Sequence, residues 1–474
     1  MIQIHELTYA YPQHGRGIGP FDFSVKEGEM LHLTGSSGCG KSTLARCITG
    51  LIPHIYHGAM KGSVCVGGLD TAATPLWKLA GTAGFVFQNP SMQMLGNTVE
   101  EEILIGLENL GLGRAEIRDR MEEALGRFGL GGFRRRNPHT LSGGEQQKLA
   151  LAAIMARRPP VLVLDEPLSM LDVTAATELV RHLSELTRAG VTIVIFEHRS
   201  DYLAAMPGLR VAALDEITVP GRAAAPGKWP GAAPAPGTRH GWPLQAAGLG
   251  VRIGGKDILR DLDLAIEPGE VTAVVGRNGC GKTTLVRALA GLQKHDGAVS
   301  IGGGRPDLGQ VYQNADLQLF NASVRAEILY RVKDPDMAWY AWLMETLRLG
   351  TYEETPPLIL SEGEKKRVAL ATVLMRKAAH GILLDEPSLG QDTAHKMMLI
   401  DICRGLAAGG RIVLFTTHEL HLAAMADRLI LLGPEGIAAD GPPKKVFLDA
   451  AAWERAGMFV PAWAADTGRE GITA

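Results

Sequence analysis

At 474 residues the chain is longer than a single hydrophobic core comfortably supports, so two or three domains are expected. An apolar fraction of 46%, a charged fraction of 21% and a net charge of −3 describe a globular protein and exclude a polycation built for nucleic acid. Five cysteines (Cys39, Cys47, Cys65, Cys280 and Cys403) form no CxxC pair, which excludes a disulfide framework and suits a reducing cytosol. No stretch approaches the roughly 20 apolar residues of a membrane span. The start, Met1 to Glu6, lacks the basic and apolar regions of a signal peptide, so other chains would have to supply any membrane.

In chain order, Glu29-Met30-Leu31-His32-Leu33-Thr34 reads as a short buried strand. It leads into Gly35-Ser36-Ser37-Gly38-Cys39-Gly40-Lys41-Ser42, and a helix opens at Ser42 and Thr43. Gln88 follows, then Leu141-Ser142-Gly143-Gly144-Glu145. Val161-Leu162-Val163-Leu164 is a fully apolar strand, as in a sheet covered on both faces, and it ends in Asp165-Glu166. Residues 191–196 form the strand that delivers His198. From about residue 220 to 243 the chain is dense in Pro, Gly and Ala, which cannot build a core element and reads as an extended tether. It separates a first domain, residues 1–219, from a second, residues 244–474.

The second domain repeats the series. It carries Gly276-Arg277-Asn278-Gly279-Cys280-Gly281-Lys282-Thr283-Thr284, Gln313, Leu360-Ser361-Glu362-Gly363-Glu364, Asp385-Glu386 and His418. Glutamate and histidine stand 32 residues apart in both halves, but the lysine-to-glutamine distance falls from 47 residues to 31. The second half has therefore lost part of the strand-rich region after its first helix. Strands alternating with helices imply an α/β fold with a parallel sheet in each half.

The pattern GxxxxGK[ST] wraps a triphosphate, because its backbone N–H groups point inward and glycine permits close approach. Lys41 and Lys282 would reach the β- and γ-phosphates of ATP. Ser42 and Thr283 would hold Mg²⁺, a hard cation that takes oxygen ligands. Carboxylates at the ends of buried strands need a cation, so Asp165 and Asp385 would orient the metal's water shell. Glu166 and Glu386 are placed to polarise the attacking water as general bases. His198 and His418 would hold that water from the opposite edge, and Gln88 and Gln313 fit as further metal and water ligands. Cys39 and Cys280 lie where positive charge favours a thiolate, although small size alone accounts for them. His54, Tyr56 and His57 have no third ligand at metal spacing, and Phe133-Arg134-Arg135-Arg136 reads as a solvated helix end.

Leu141 to Gln147 resembles the signature of ATP-binding cassette (ABC) proteins, and Ser36 to Thr43 resembles their Walker A motif. Residues 169–172 and 388–392 match the D-loops, so the likeness covers nearly all of the chain outside the tether. It implies two tandem P-loop nucleotide-binding domains, each a parallel-sheet core with a helical subdomain, that close head to tail. Lys41, Asp165, Glu166 and His198 then share a site with Ser361 and Gly363, while Lys282, Asp385, Glu386 and His418 share one with Ser142, Gly143 and Gly144. No second copy of the chain is required. Two departures make the halves unequal. Glu362 replaces a signature glycine, which is expected to weaken that site. Tyr11 supplies an adenine platform upstream of the first Walker A, whereas the second half offers Val251-Arg252-Ile253-Gly254, at a cost of about 1 kcal/mol of stacking.

Gln88-Asn89-Pro90-Ser91-Met92-Gln93, followed by Gly96 to Ile103, resembles the ATPases of energy-coupling factor (ECF) importers, and Gln313 to Gln318 with Leu319 to Ile328 echoes it. The resemblance implies a peripheral ATPase at the cytoplasmic membrane face. It would drive uptake of a vitamin or transition-metal ion through a shared transmembrane subunit and a small substrate-binding subunit. Glu102 and Glu327 are then expected on the surface that receives basic coupling helices. A twin-cassette sugar-importer ATPase is similar in length but is not expected to carry the Gln-Asn-Pro stretch. A translation factor of the ABC-F type would carry a long charged helical linker in place of this one.

Overall fold

A computed structural model describes residues 1–12, 17–35, 39–168, 171, 173–197, 203, 206, 208–214 and 241–460. The chain divides into two compact units, Met1–Arg222 and Ala223–Ala474. Residues 220–240 of the tether lie outside the described residues, as do Ser36, Gly38 and His198.

In the first unit, β1 (Ile2–Ala10) pairs antiparallel with β2 (Gly17–Val25) and β4 (Ala59–Val66), and β5 (Leu69–Asp70) extends that sheet. A second, parallel sheet has the order β6-β7-β8-β3-β9. Its members are β3 (Met30–Thr34), β6 (Ala83–Val86), β7 (Val161–Asp165), β8 (Thr192–Phe196) and β9 (Leu209–Ala213). Every side chain of β7 and β8 is buried, which is why these strands read as unbroken apolar runs. Their alternation still shows in what they touch. Leu162, Leu164, Ile193 and Ile195 pack with Leu149 and Leu151 of the signature helix. Val161, Val163, Val194 and Phe196 pack with Leu44 and Ile48 behind the phosphate loop.

Five helices matter for the site: α1 (Lys41–Ile48), α2 (Leu76–Thr82), α3 (Val99–Glu108), α4 (Arg114–Arg127) and the signature helix α5 (Gly143–Ala156). The helix α6 (Val173–Arg188) connects β7 to β8.

The second unit repeats the plan. Its antiparallel sheet joins β10 (Leu244–Ile253), β11 (Lys256–Ile266) and β13 (Asp296–Ile301). The larger sheet has the order β14-β15-β16-β12-β17-β18, with only β18 (Gly436–Gly441) antiparallel. The others are β12 (Val271–Gly276), β14 (Leu308–Val311), β15 (Gly381–Asp385), β16 (Ile412–Thr416) and β17 (Arg428–Gly433). Its helices include α7 (Lys282–Leu289), α8 (Val324–Leu329), α9 (Met337–Thr346), the signature helix α10 (Glu362–Met375), α11 (Thr393–Ala408), α12 (Pro443–Leu448) and α13 (Ala450–Arg455). The shortened interval between Lys282 and Gln313 has no counterpart of α2 or β5 among the described residues. In each unit the phosphate-loop strand sits inside the parallel sheet, so the loop, the carboxylates and the histidine strand all end at one edge.

Candidate functional site

Both phosphate loops turn at a glycine in the left-handed region, Gly40 at φ 101° and Gly281 at φ 105°. A side chain at Gly40 would strike Ile18, so only glycine fits there. The lysine after each turn folds back over its loop. Lys41 Nζ donates to the Gly35 carbonyl at 2.7 Å. Lys282 Nζ donates to Gly276 at 2.7 Å and Arg277 at 3.2 Å. Burial raises the Cys280 thiol and nearby Lys282 does not offset it, which suits the reading of this cysteine as a small residue that fits the loop. Tyr11 stands beside α1, its hydroxyl 3.1 Å from Thr43 Oγ1 and accepting from Arg46 at 3.2 Å, with its ring edge-on to Tyr9. At the matching place in the second unit Val251 is buried, and Arg252 turns outward to Asp257.

The carboxylate pairs are buried at the ends of β7 and β15. Burial, reinforced by the charge of Glu166, pushes Asp165 up to about 7, against the Ser42 hydrogen bond and Lys41. Among the described residues its Oδ1 has no hydrogen-bond partner. Asp385 is raised by burial too, although hydroxyls of Thr416 and Thr283 donate to it. A buried carboxylate short of positive charge, flanked by a hydroxyl, is an oxygen donor set that fits a divalent hard cation. The residues expected to hold Mg²⁺ therefore suit that ion.

Both glutamates occupy the left-handed backbone region, Glu166 at φ 49° and Glu386 at φ 48°. Non-glycine residues rarely adopt it, and such strain persists only where surrounding bonds hold it. The Glu166 N–H donates to Phe196 O at 2.8 Å, and the Glu386 N–H to Thr416 Oγ1 at 3.0 Å. Each carboxylate has a described side-chain partner. Gln88 Nε2 donates to Glu166 Oε2 at 2.8 Å. In the second unit it is His418 Nδ1 that lies 2.9 Å from Glu386 Oε2, while Gln313 is exposed. Burial works against the charge on Glu386, but His418, Lys282 and Lys366 outweigh it and hold the carboxyl at about 2.

Ser142 and Ser361 cap the signature helices with the same backbone angles, φ −64° and ψ 158°, each in a reciprocal capping box with Glu145 or Glu364. Gly143, Gly144 and Gly363 lie in the opening turns. Glu362, in place of a glycine, has its carboxylate 3.8 Å from Lys365.

Glu102 and Glu327 require a correction. Neither faces outward: Glu102 is 8% exposed and Glu327 is fully buried. Glu102 Oε2 accepts the N–H groups of Leu95 and Gly96, both at 2.7 Å. Glu327 Oε2 accepts those of Phe320 and Asn321 at 2.8 and 2.7 Å. Their charge is spent on the backbone of the preceding loop, because a first-turn helix residue reaches back over the segment that leads in. What this clamp holds outward is apolar. Met92 is 73% and Leu95 78% exposed; Leu317 is 65% and Phe320 60%. Sequence reasoning passed over these four, although they stand four and seven residues after Gln88 and Gln313 alike.

Fold and site together define a tandem P-loop ATPase. The sequence profile of the ABC transporter family matches residues 18–169 and 259–389, and the chain belongs to that family. A provisionally named ABC transporter ATP-binding protein of Streptomyces coelicolor is 33% identical, with 94% of each chain covered. One of Treponema denticola is 31% identical over 91% of this chain and 95% of its own. A Bacillus subtilis protein, provisionally named an HMP/thiamine import ATP-binding protein, is 29% identical over 94% of this chain and 92% of its own. Among solved structures, RNase-L inhibitor aligns with a TM-score of 0.61 at 20% identity, covering 94% of this chain and 95% of that one. At that identity the likeness is one of fold. No helix among the described residues is long and apolar enough to cross a membrane.

Proposed function

We propose that the chain is the ATP-hydrolysing motor of an importer of energy-coupling factor type, seated on the cytoplasmic face of the membrane. It drives uptake of a vitamin or transition-metal ion through separate membrane subunits. The observation that carries this reading is the matched pair of apolar knobs, Met92 with Leu95 and Leu317 with Phe320. Exposed apolar clusters of this kind mark contact surfaces. The import protein of Bacillus subtilis, similar along nearly the whole chain, supports the direction of transport.

In this reading the Walker A of each half works with the signature of the other. Lys41 and Lys282 bind the ATP phosphates, and Ser142, Gly143 and Gly144, or Ser361 and Gly363, close over them. Mg²⁺, when held by Ser42, Gln88 and Asp165 or by Thr283, Gln313 and Asp385, neutralises phosphate charge. Glu166 and Glu386 polarise the attacking water, and His198 and His418 orient it. Cassette closure over ATP moves the apolar knobs and whatever is docked on them.

The test is purification of the tagged chain from detergent-solubilised native membranes, beside a Leu95→Asp/Phe320→Asp variant. A polytopic protein and a small, very apolar one are expected with the parent and lost with the variant. Recovery of ribosomal proteins, or equal recovery of membrane proteins by both chains, overturns the reading.

A further inference from the structure

Five residues after the capping serine, the two signature helices differ. In α5 that residue is Gln147, 1% exposed, whose Nε2 has no hydrogen-bond partner among the described residues. In α10 it is Lys366, 5% exposed, whose Nζ donates to the backbone carbonyl of Glu386 at 2.7 Å. A buried ammonium is costly to desolvate. A glutamine fills the matched place in the first half, so packing alone does not call for a lysine. The bond it makes is therefore the informative part.

That bond lands on a strained residue. Glu386 holds its left-handed backbone with its N–H on Thr416, its carbonyl on Lys366 and its carboxylate on His418. The same helix is tied to the rest of the second site at two more points. Lys365 pairs with Asp316, three residues past Gln313, at 2.8 Å. Gln391 Nε2 donates to the Gly363 carbonyl at 2.8 Å.

We propose that Lys366 is a positioning residue for ATP hydrolysis in the second half. By fixing the peptide carbonyl of Glu386, it holds the Glu386 carboxylate against His418 in the orientation that polarises water. The inference rests on the reading of Glu386 as the water-polarising group.

The test uses the full chain in two backgrounds, Glu166→Gln, which leaves Glu386 to act, and Glu386→Gln, which leaves Glu166. In the first, Lys366→Met and Lys366→Gln each lower kcat by about tenfold or more, with KM for ATP changed less than about twofold. The loss is confined to Glu386-driven turnover, so in the second background the same substitutions cost less than about twofold. Lys366→Gln copies the first half, which keeps the test open should the methionine variant fail to fold; a thermal melt and binding of a fluorescent ATP analogue check each variant. Equal losses in both backgrounds, an effect on KM alone, or unchanged kcat in the Glu166→Gln chain overturns the proposal. The reading beneath it fails separately: adding Glu386→Gln to the Glu166→Gln chain would then leave turnover undiminished.

Discussion

The two halves solve one local problem with opposite charges. In the first, α3 is locked to the loop before the signature by Val99 N–H to Arg136 O and Glu100 N–H to Arg134 O, both at 3.0 Å. In the second, Val324 N–H to Thr355 O at 3.0 Å and Arg325 N–H to Glu353 O at 2.9 Å make the same lock. The side chains over it are reversed. Arg134 clamps Glu100 through two bonds at 2.7 and 2.9 Å, whereas Arg325 reaches Glu353 at 2.7 Å. The fold demands a joint at this place and is indifferent to its sign. At the glutamates the residue types match, and the described bonds run from Gln88 to Glu166 in the first half and between His418 and Glu386 in the second.

The largest expected effect is at the two glutamates. Glu166→Gln and Glu386→Gln together bind ATP but lose turnover, by roughly 10²–10⁴-fold. With Glu386 alone active, His418→Ala removes most of the remaining rate and Gln313→Ala little. With Glu166 alone active, Gln88→Ala costs about tenfold or more. Steady-state ATPase rates decide it: equal losses from Gln88→Ala and Gln313→Ala in their respective backgrounds erase the functional difference between the halves.

Next in size are the buried clamps. Glu327→Ala strands the N–H groups of Phe320 and Asn321 and costs roughly 3 kcal/mol, while Glu102→Ala, slightly more exposed, costs somewhat less. Thermal unfolding of the full chain measures both, and a loss below about 0.5 kcal/mol for either would return that glutamate to the surface role its sequence suggested.

Those glutamates also mark where sequence reading stopped. The phosphate loops, carboxylate pairs and capping serines were legible because each rests on local backbone requirements: glycine at a left-handed turn, a serine oxygen for a helix N–H. Glu102 and Glu327 look like solvated charges in an acidic helix start, and only the return of the preceding loop reveals their partners. A signal was available, since each lies seven residues after a matched apolar residue, Leu95 or Phe320. Lys366 was hidden differently. Within Lys365-Lys366-Arg367 it reads as a solvated run, yet all three are buried, because α10 has structure on nearly every side. The reversed ion pair could be read only once both strands of the joint were in place.

A smaller effect sharpens the charge reversal. Glu100→Arg sets two guanidinium groups together and lowers the melting temperature by roughly 2–4 °C. Glu100→Arg/Arg134→Glu copies the second half and recovers part of the loss. Recovery is incomplete because Arg134 also holds Glu122 at 2.6 Å, and a carboxylate at 134 would face it. A double variant no better than the single one would mean that the joint is not indifferent to sign.

The smallest effect separates the two locks by their response to acid and salt. A hydrogen bond from Arg134, with its charge, holds Glu100 below the ordinary carboxylate value of 4.5; for Glu353 the Tyr340 hydroxyl comes first, at 2.9 Å, and Arg325 second. Both folded values are depressed, so both contributions are present above pH 4.5 and fade as pH falls through the folded values. Salt should divide them, because it screens half-exposed ion pairs but not a bond from a neutral phenol. In melts of Glu100→Gln and Glu353→Gln chains at pH 6, 1 M NaCl should shrink the deficit of the first and leave most of that of the second. Equal shrinkage would show that Tyr340 adds nothing, and that the two locks are the same ion pair turned around.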